Sequence, residues 1–260
     1  SFHVTGVQTC ALPISLGHYC FNSQAPDIGN IELLKDHASD QLKSEFLQPL
    51  ISGEIRSCFG MTEPQRPGSN PTWMDTRAVR DGDDYVINGN KWFTSAADGA
   101  SICVVMAVTD PEAENKYERA SMFVVPVDNP GFEIVRNIPV MGDVGEGYMS
   151  HGEIRLTDCR ISASNIIGKE GEGFILAQER LGPGRIHHCM RWIGICERAV
   201  ALMCARASSR ELSPNKFLSE KQTIQNWISE SAAKIYGARL MVLDCAKKIE
   251  AHQTKGARKE

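Results

Sequence analysis

The chain has 260 residues, 42% of them hydrophobic and 23% charged, which is enough apolar material for a substantial core. Its 28 basic and 32 acidic residues give a net charge of -4 with no basic block, which argues against a nucleic-acid partner. No apolar run approaches the ~20 residues of a membrane helix, so the composition reads as that of a soluble protein with no transmembrane segment.

Residues 1–15 carry no Lys or Arg ahead of a short apolar run, which makes a poor secretory leader. They read as a segment foreign to the fold, and localisation cannot be read from them. From Ile31 to Leu50 the apolar residues Ile31, Leu34, Ala38, Leu42, Phe46 and Leu47 recur at helical spacing. Asn30 is the expected cap and Pro49 the expected stop. Between Cys58 and Ile167 the texture changes to short β-rich runs. Tyr85–Ile87 and Lys91–Thr94 flank Asn88-Gly89, a pair that favours a two-residue hairpin turn because both positions tolerate positive φ. Further strands are expected at Ile102–Val108, Ser121–Val127, Phe132–Arg136 and Gly152–Leu156, with a spacing that suggests an antiparallel barrel or sandwich.

Beyond Gly168, Gly171 and Gly173 the pattern is helical again. Phe174–Arg210 reads as a long helix interrupted by Gly182-Pro183-Gly184. A second helix is expected from about Ser219 to Ala251, with Ile224, Trp227, Ile228, Ala232, Ile235, Leu240 and Leu243 near one stripe. The 9 cysteines form no CxxC pair, which fits a reducing compartment. Cys189, Cys196 and Cys204, about two helical turns apart, are expected on a core-facing side. The fold class is therefore α+β: N-terminal helices, a middle antiparallel β-barrel or sandwich, and a C-terminal helical bundle. The expected divisions are 1–15, 16–57, 58–168 and 169–260.

Several tempting motifs carry little. Gly168-x-x-Gly171-x-Gly173 lacks the order of a dinucleotide loop and any surrounding βαβ unit, so it reads as a linker with helix-start glycines. His187 and His188 point to different helix faces and have no ligand-like partner four residues on, so no metal is expected. No GxSxG elbow is present.

Two segments differ in kind. Phe59-Gly-Met61-Thr62-Glu63-Pro64, followed by Gly68-Ser69, joins the helical region to the β-domain and gathers a hydroxyl, backbone groups and a glycine. A flavin needs such a combination at its ring edge and pyrophosphate, although a tight surface turn would have the same composition. Lys91-Trp92-Phe93-Thr94-Ser95 sets an aromatic wall beside hydroxyls, although core aromatics on a strand would look alike.

Taken together, Met61-Thr62-Glu63-Pro64 and Ile87-Asn88-Gly89-Asn90-Lys91-Trp92 resemble the signatures of the acyl-CoA dehydrogenase family. Ala25-Pro26-Asp27-Ile28-Gly29-Asn30 and Gly182-Pro183-Gly184-Arg185-Ile186-His187-His188-Cys189-Met190-Arg191 resemble its branch typified by family members ten and eleven. The likeness runs from about Tyr19 to Glu260. It implies an FAD-dependent enzyme that oxidises acyl-CoA thioesters to trans-2-enoyl-CoA in fatty acid β-oxidation. Electron-transfer flavoprotein would be the acceptor, and the intact protein a dimer or tetramer. By resemblance, Phe59, Met61, Thr62, Ser69, Phe93, Thr94 and Ser95 are the FAD contacts. Thr62 lies near the reactive ring edge, Phe93 takes the position of a flavin-facing aromatic, and Ser95 is its hydroxyl partner. Ser69, Gly182, Pro183, Gly184 and Arg185 are the substrate contacts.

The family's base is a carboxylate, and the resemblance places it beyond Glu260. A minority of members carry it at the position of Gly184, where glycine cannot serve. No catalytic residue is therefore assigned within the chain, which is expected to be an inactive and unstable fragment. Gln65-Arg66-Pro67 and Asn70 depart from the family pattern. Glu211 stands where a cross-subunit Arg reaches FAD, and Arg210 could replace that Arg only after a turn of ~100°. An acyl-CoA oxidase and a non-catalytic flavin- or acyl-CoA-binding paralogue stay open as alternatives. The branch points to mitochondria or peroxisomes, or to the cytoplasm in bacteria.

Overall fold

The computed structural model describes residues 25–256, and residues 1–15 of the expected leader lie outside them. The described chain divides into two compact units, 25–181 and 182–256.

The first unit opens with α1 (Ala25–His37). Asn30 is no cap. It is fully buried inside α1, where its amide donates to Ser57 Oγ at 2.9 Å and to the Cys58 carbonyl at 3.0 Å. The helix already runs from Ala25, six residues before the apolar pattern begins at Ile31, since Pro26 suits a first turn and Asp27 favours its positive end. Ser39 interrupts the run by accepting a hydrogen bond from Leu42 N at 3.3 Å, and helical turns continue over residues 40–52, one of them π-helical. Pro49 does not stop them. It sits within the first turn of the last segment, where no N–H is needed, and Gly53 at φ 79° ends it.

The strands are β1 (Ser57–Gly60), β2 (Arg77–Asp81), β3 (Asp84–Ser95), β4 (Ile102–Val108), β5 (Ala120–Pro126), β6 (Phe132–Asn137), β7 (His151–Ser162) and β8 (Ile166–Ile167). They form one eight-stranded sheet in the order β6-β7-β3-β2-β4-β5-β8, with β1 added beside β4. Most pairs are antiparallel as expected, but β1–β4 and β2–β4 are parallel, so the sheet is mixed. The hairpin turn is also displaced. Asn88-Gly89 lies within the continuous 12-residue β3, and the chain reverses at Gly82 (φ 62°) between β2 and β3. Gly89 is required for a different reason: a Cβ there would stand 2.3 Å from Thr76 Oγ1.

β4 is buried on both faces, as an unbroken apolar run allows. Ile102, Val104, Met106 and Val108 pack with Leu34, Leu42, Leu47 and Leu50 of the helices. Cys103, Val105 and Ala107 pack on the other face with Tyr85, Ile87, Phe123, Ile154 and Leu156.

α2 (Gly173–Ser209) is one 37-residue helix that runs through Gly182-Pro183-Gly184 without a break in its assignment. In the second unit a short hairpin, β9 (Glu211–Ser213) and β10 (Lys216–Phe217), leads to α3 (Gln222–Gly256). Asn215 at φ 57° turns this hairpin. On α3, Ile224, Ile228, Ile235 and Leu243 form a half-buried stripe, while Trp227, Ala232 and Leu240 are exposed. Cys189, Cys196 and Cys204 are exposed rather than core-facing. Their spacing holds them to one side, but Met190 and Ile193 occupy the buried one.

Candidate functional site

β1 ends at buried Gly60, where a Cβ would lie 3.4 Å from Cys103 Sγ. The chain then leaves the sheet as Met61-Thr62, and β3 captures both of their carbonyls. Lys91 Nζ donates to Met61 O at 3.0 Å, and Trp92 N donates to Thr62 O at 3.0 Å. The two sequence motifs are thereby bonded to each other.

Lys91 is 0% exposed, and its ammonium also donates to Glu63 Oε1 at 2.9 Å. Glu63 accepts from Asp75 N at 2.6 Å and Thr76 N at 2.9 Å, so one carboxylate joins both ends of the loop between residues 63 and 76. Burial pulls the Glu63 carboxyl up, but the Lys91 charge and these hydrogen bonds together outweigh it, and the group titrates below its ordinary range. Burial pulls the Lys91 ammonium down against the opposing pull of Glu63. A buried charge left without its partner costs several kcal/mol, so this pair fixes the Met61-Thr62 backbone firmly.

The loop itself is stapled from outside. Arg66 makes two hydrogen bonds to Asp75, each 2.7 Å, and lies over the Trp73 ring at 4.5 Å. Gly68 is pressed against Thr62, where a Cβ would meet Thr62 Cγ2 at 3.0 Å, and Ser69, the next residue, is exposed. Phe59 lies half-buried under the Arg180 guanidinium, 3.9 Å from its ring centroid. Arg180 donates to Asn30 Oδ1 at 2.8 Å and to the Pro26 carbonyl, and burial pulls its titration down to about 10.

At its far end β3 slips register against β7 between Lys91 and Thr94. Phe93 takes a left-handed φ of 49° and is 45% exposed, and Ala96 follows at φ 66°. Two non-glycine residues in that region within four positions cost about 1–3 kcal/mol each and mark a site where geometry has been favoured over local stability. The Phe93 ring packs against Trp92, with centroids 4.9 Å apart. Ser95 Oγ lies 2.9 Å from His151 Nδ1. Thr94 turns to the opposite face of the strand, fully buried, and its Oγ1 has no partner among the described residues.

Of the residues singled out in the sequence, Phe59, Met61, Thr62, Ser69, Phe93, Thr94 and Ser95 all fall in the first unit. Thr62, the Gly68-Ser69 turn and the Trp92–Ser95 segment are brought into contact or direct succession. Gly182, Gly184 and Arg185 lie on α2 in the second unit; Arg185 is exposed, and a Cβ on Gly184 would meet nothing within 4 Å. The Pro183 side chain lies outside the described residues. Glu211 is exposed on β9. Sequence reasoning missed the Glu63–Lys91 pair, the Arg66–Asp75 staple and His151. Glu63 and Lys91 were visible inside their motifs, yet nothing in a linear sequence shows that two charges are buried together. Among the described residues no cluster of His, Cys, Asp or Glu is arranged to hold a metal, and no helix is long and apolar enough to cross a membrane.

A mixed β-domain followed by long helices, with the turn after β1 bonded to β3, defines the class of the protein. Residues 58–159 match the family described as acyl-CoA dehydrogenase, middle domain, and residues 171–260 match acyl-CoA dehydrogenase, C-terminal domain. The chain belongs to the acyl-CoA dehydrogenase family. Within that family it is similar to acyl-CoA dehydrogenase family member 11 of Gallus gallus, 43% identical over 92% of this chain and 31% of the relative. It is also similar to family member 10 of Mus musculus, 44% identical over 87% of this chain and 21% of the relative. Among solved structures, butyryl-CoA dehydrogenase from Megasphaera elsdenii superposes with a TM-score of 0.79 and 28% identity, covering 87% of this chain and 58% of that one. The chain thus spans well under two thirds of the length of each.

Proposed function

We propose that the protein binds FAD and oxidises acyl-CoA thioesters to trans-2-enoyl-CoA, as one step of fatty acid β-oxidation. The observation that carries this reading is the bonding of the Met61-Thr62 turn to β3 through Lys91 and Trp92, which joins the Thr62 segment to the strand that carries exposed Phe93 and half-buried Ser95. An aromatic surface flanked by hydroxyls suits an isoalloxazine ring, and the left-handed Phe93 supplies that surface at a local energetic cost. Phe59, Met61, Thr62, Ser69, Phe93, Thr94 and Ser95 would hold the cofactor, with Thr94 contributing through its backbone. When bound, FAD would accept the hydride that leaves the substrate β-carbon.

The chain's own residues do the positioning. Lys91, paired with Glu63, donates to the Met61 carbonyl and so fixes the backbone that carries Thr62. Ser69 would lie between cofactor phosphate and thioester, with Gly182, Pro183, Gly184 and Arg185 along the acyl-CoA. Enolate charge developing on the thioester oxygen requires fixed donors, and abstraction of the α-proton requires a carboxylate in a dry site. No carboxylate of these 260 residues is assigned as that base. Electron-transfer flavoprotein is the proposed acceptor, and a dimer or tetramer the proposed assembly.

A direct test incubates the intact protein with FAD, a long-chain acyl-CoA and an artificial electron acceptor and reads the product by mass spectrometry. Loss of two hydrogens from the acyl chain is expected. Unchanged acyl-CoA with FAD bound would favour a binding paralogue instead.

A further inference from the structure

His151 is half-buried at the start of β7, directly across from Ser95 in the β3–β7 register, and its Nδ1 is 2.9 Å from Ser95 Oγ. No residue-level expectation from sequence reached it. Its backbone is held on two sides: its carbonyl accepts from Ile138 N at 2.8 Å, and the carbonyl of preceding Ser150 accepts from Ala96 N at 2.8 Å. The next residue, Gly152, packs so closely that a Cβ would lie 2.7 Å from Ala97 Cβ. The imidazole therefore meets Ser95 from a rigid corner.

We infer that His151 is a positioning residue that sets the direction of the Ser95 hydroxyl proton toward the cofactor. This inference rests on the flavin reading of the site.

A serine hydroxyl has one proton and can also accept. If His151 Nδ1 carries no proton, Ser95 donates to it and turns lone pairs toward whatever faces the strand. If Nδ1 carries a proton, it donates to Ser95, and the serine proton is released to point outward. An oxidised flavin ring nitrogen is an acceptor and is matched by the second arrangement. A reduced ring nitrogen bears hydrogen and is matched by the first. The imidazole can supply either arrangement by exchanging tautomers, whereas a serine without this neighbour has no fixed direction. The chain spends local stability here, with Phe93 and Ala96 both left-handed around Ser95, and this fits a segment built to aim a hydroxyl.

The test uses the intact protein, freed of flavin and titrated with FAD, with dissociation constant and midpoint potential as readouts. His151→Phe keeps a flat ring and removes the hydrogen bond, and Ser95→Ala removes the hydroxyl. Each is expected to weaken FAD binding about fivefold, the worth of one neutral hydrogen bond, and to shift the midpoint potential in the same direction. The double variant should match either single one. His151→Asn, which restores a polar atom at the δ position, should recover most of the loss. The apoprotein thermal transition of His151→Phe reports any purely structural effect. Should that variant fail to fold, the imidazole nitrogen resonances of the unaltered protein decide, and they should change on adding FAD.

If the protein binds no FAD, the flavin reading itself falls. If it binds FAD but His151→Phe leaves affinity and potential unchanged, or the imidazole resonances do not move, the role of His151 is overturned while the flavin reading stands. Losses that simply add in the double variant would likewise separate His151 from Ser95 and overturn the inference.

Discussion

Glu63→Gln isolates the element on which the candidate site is built. Glutamine keeps the volume of glutamate and one acceptor oxygen but removes the charge opposite Lys91, which is 0% exposed. Breaking one side of a buried pair costs about 3–5 kcal/mol. A further loss of about 1–3 kcal/mol follows if the new amide faces the Asp75 N–H, which now donates to Glu63 Oε2 at 2.6 Å. With a urea dependence of about 2 kcal/mol/M, the unfolding midpoint of the β-domain should fall by at least about 1.5 M. FAD affinity should fall with it, because Lys91 also holds the Met61 carbonyl. The double variant Glu63→Gln, Lys91→Met removes both charges and should recover most of the stability, since paired replacement is close to neutral. A midpoint shift of less than ~0.5 M by this yardstick, or a double variant whose loss equals the sum of the single losses, would refute the buried-pair explanation.

The same carboxylate predicts a pH dependence. Glu63 titrates below its ordinary 4.5 in the folded state, so its stabilisation is present above that value and is lost as pH falls through the folded one. The urea-midpoint gap between the unaltered protein and Glu63→Gln should stay constant from neutral pH to about 5 and narrow below it; a gap that widens in acid would contradict the sign. Gly89→Ala should lower the thermal midpoint by several degrees, corresponding to at least about 1–3 kcal/mol of overpacking, because its Cβ would stand 2.3 Å from Thr76 Oγ1. Gly184→Ala meets open space on a helix and should stabilise by up to about 1 kcal/mol, measured in the same melt. Phe93→Gly should leave apoprotein stability unchanged or raised by about 1 kcal/mol, because it relieves a left-handed φ, while FAD affinity falls. A destabilised apoprotein with intact FAD binding would contradict that assignment.

Where the sequence succeeded and failed follows from what each kind of signal reports. Ile102–Val108 matched β4 residue for residue, because a seven-residue apolar run buried on both faces has one reading. The four motifs named the family that the later comparisons show. The Asn88-Gly89 turn failed because an intrinsic preference was taken as decisive. Tertiary packing uses that glycine to admit Thr76, and the reversal fell to Gly82 instead. The helix start at Asn30 failed similarly: a residue with capping chemistry instead makes a buried bond to Ser57, 27 positions further along the chain. Parallel pairing of β1 with β4 joins strands more than forty residues apart, and no local pattern records it. The candidate site divides along the same line. Its outward residues, Thr62, Ser69, Phe93 and Ser95, sit within motifs. Its supports, Glu63 with Lys91 and His151 with Ser95, depend on distances between strands.

The most direct measurement is the visible flavin spectrum of the intact protein under anaerobic conditions, before and after adding a long-chain acyl-CoA. The proposed function predicts a bound yellow flavin whose absorbance bleaches as acyl-CoA is added. A protein that binds no flavin, or whose bound flavin keeps its colour with every acyl-CoA tried, would contradict it.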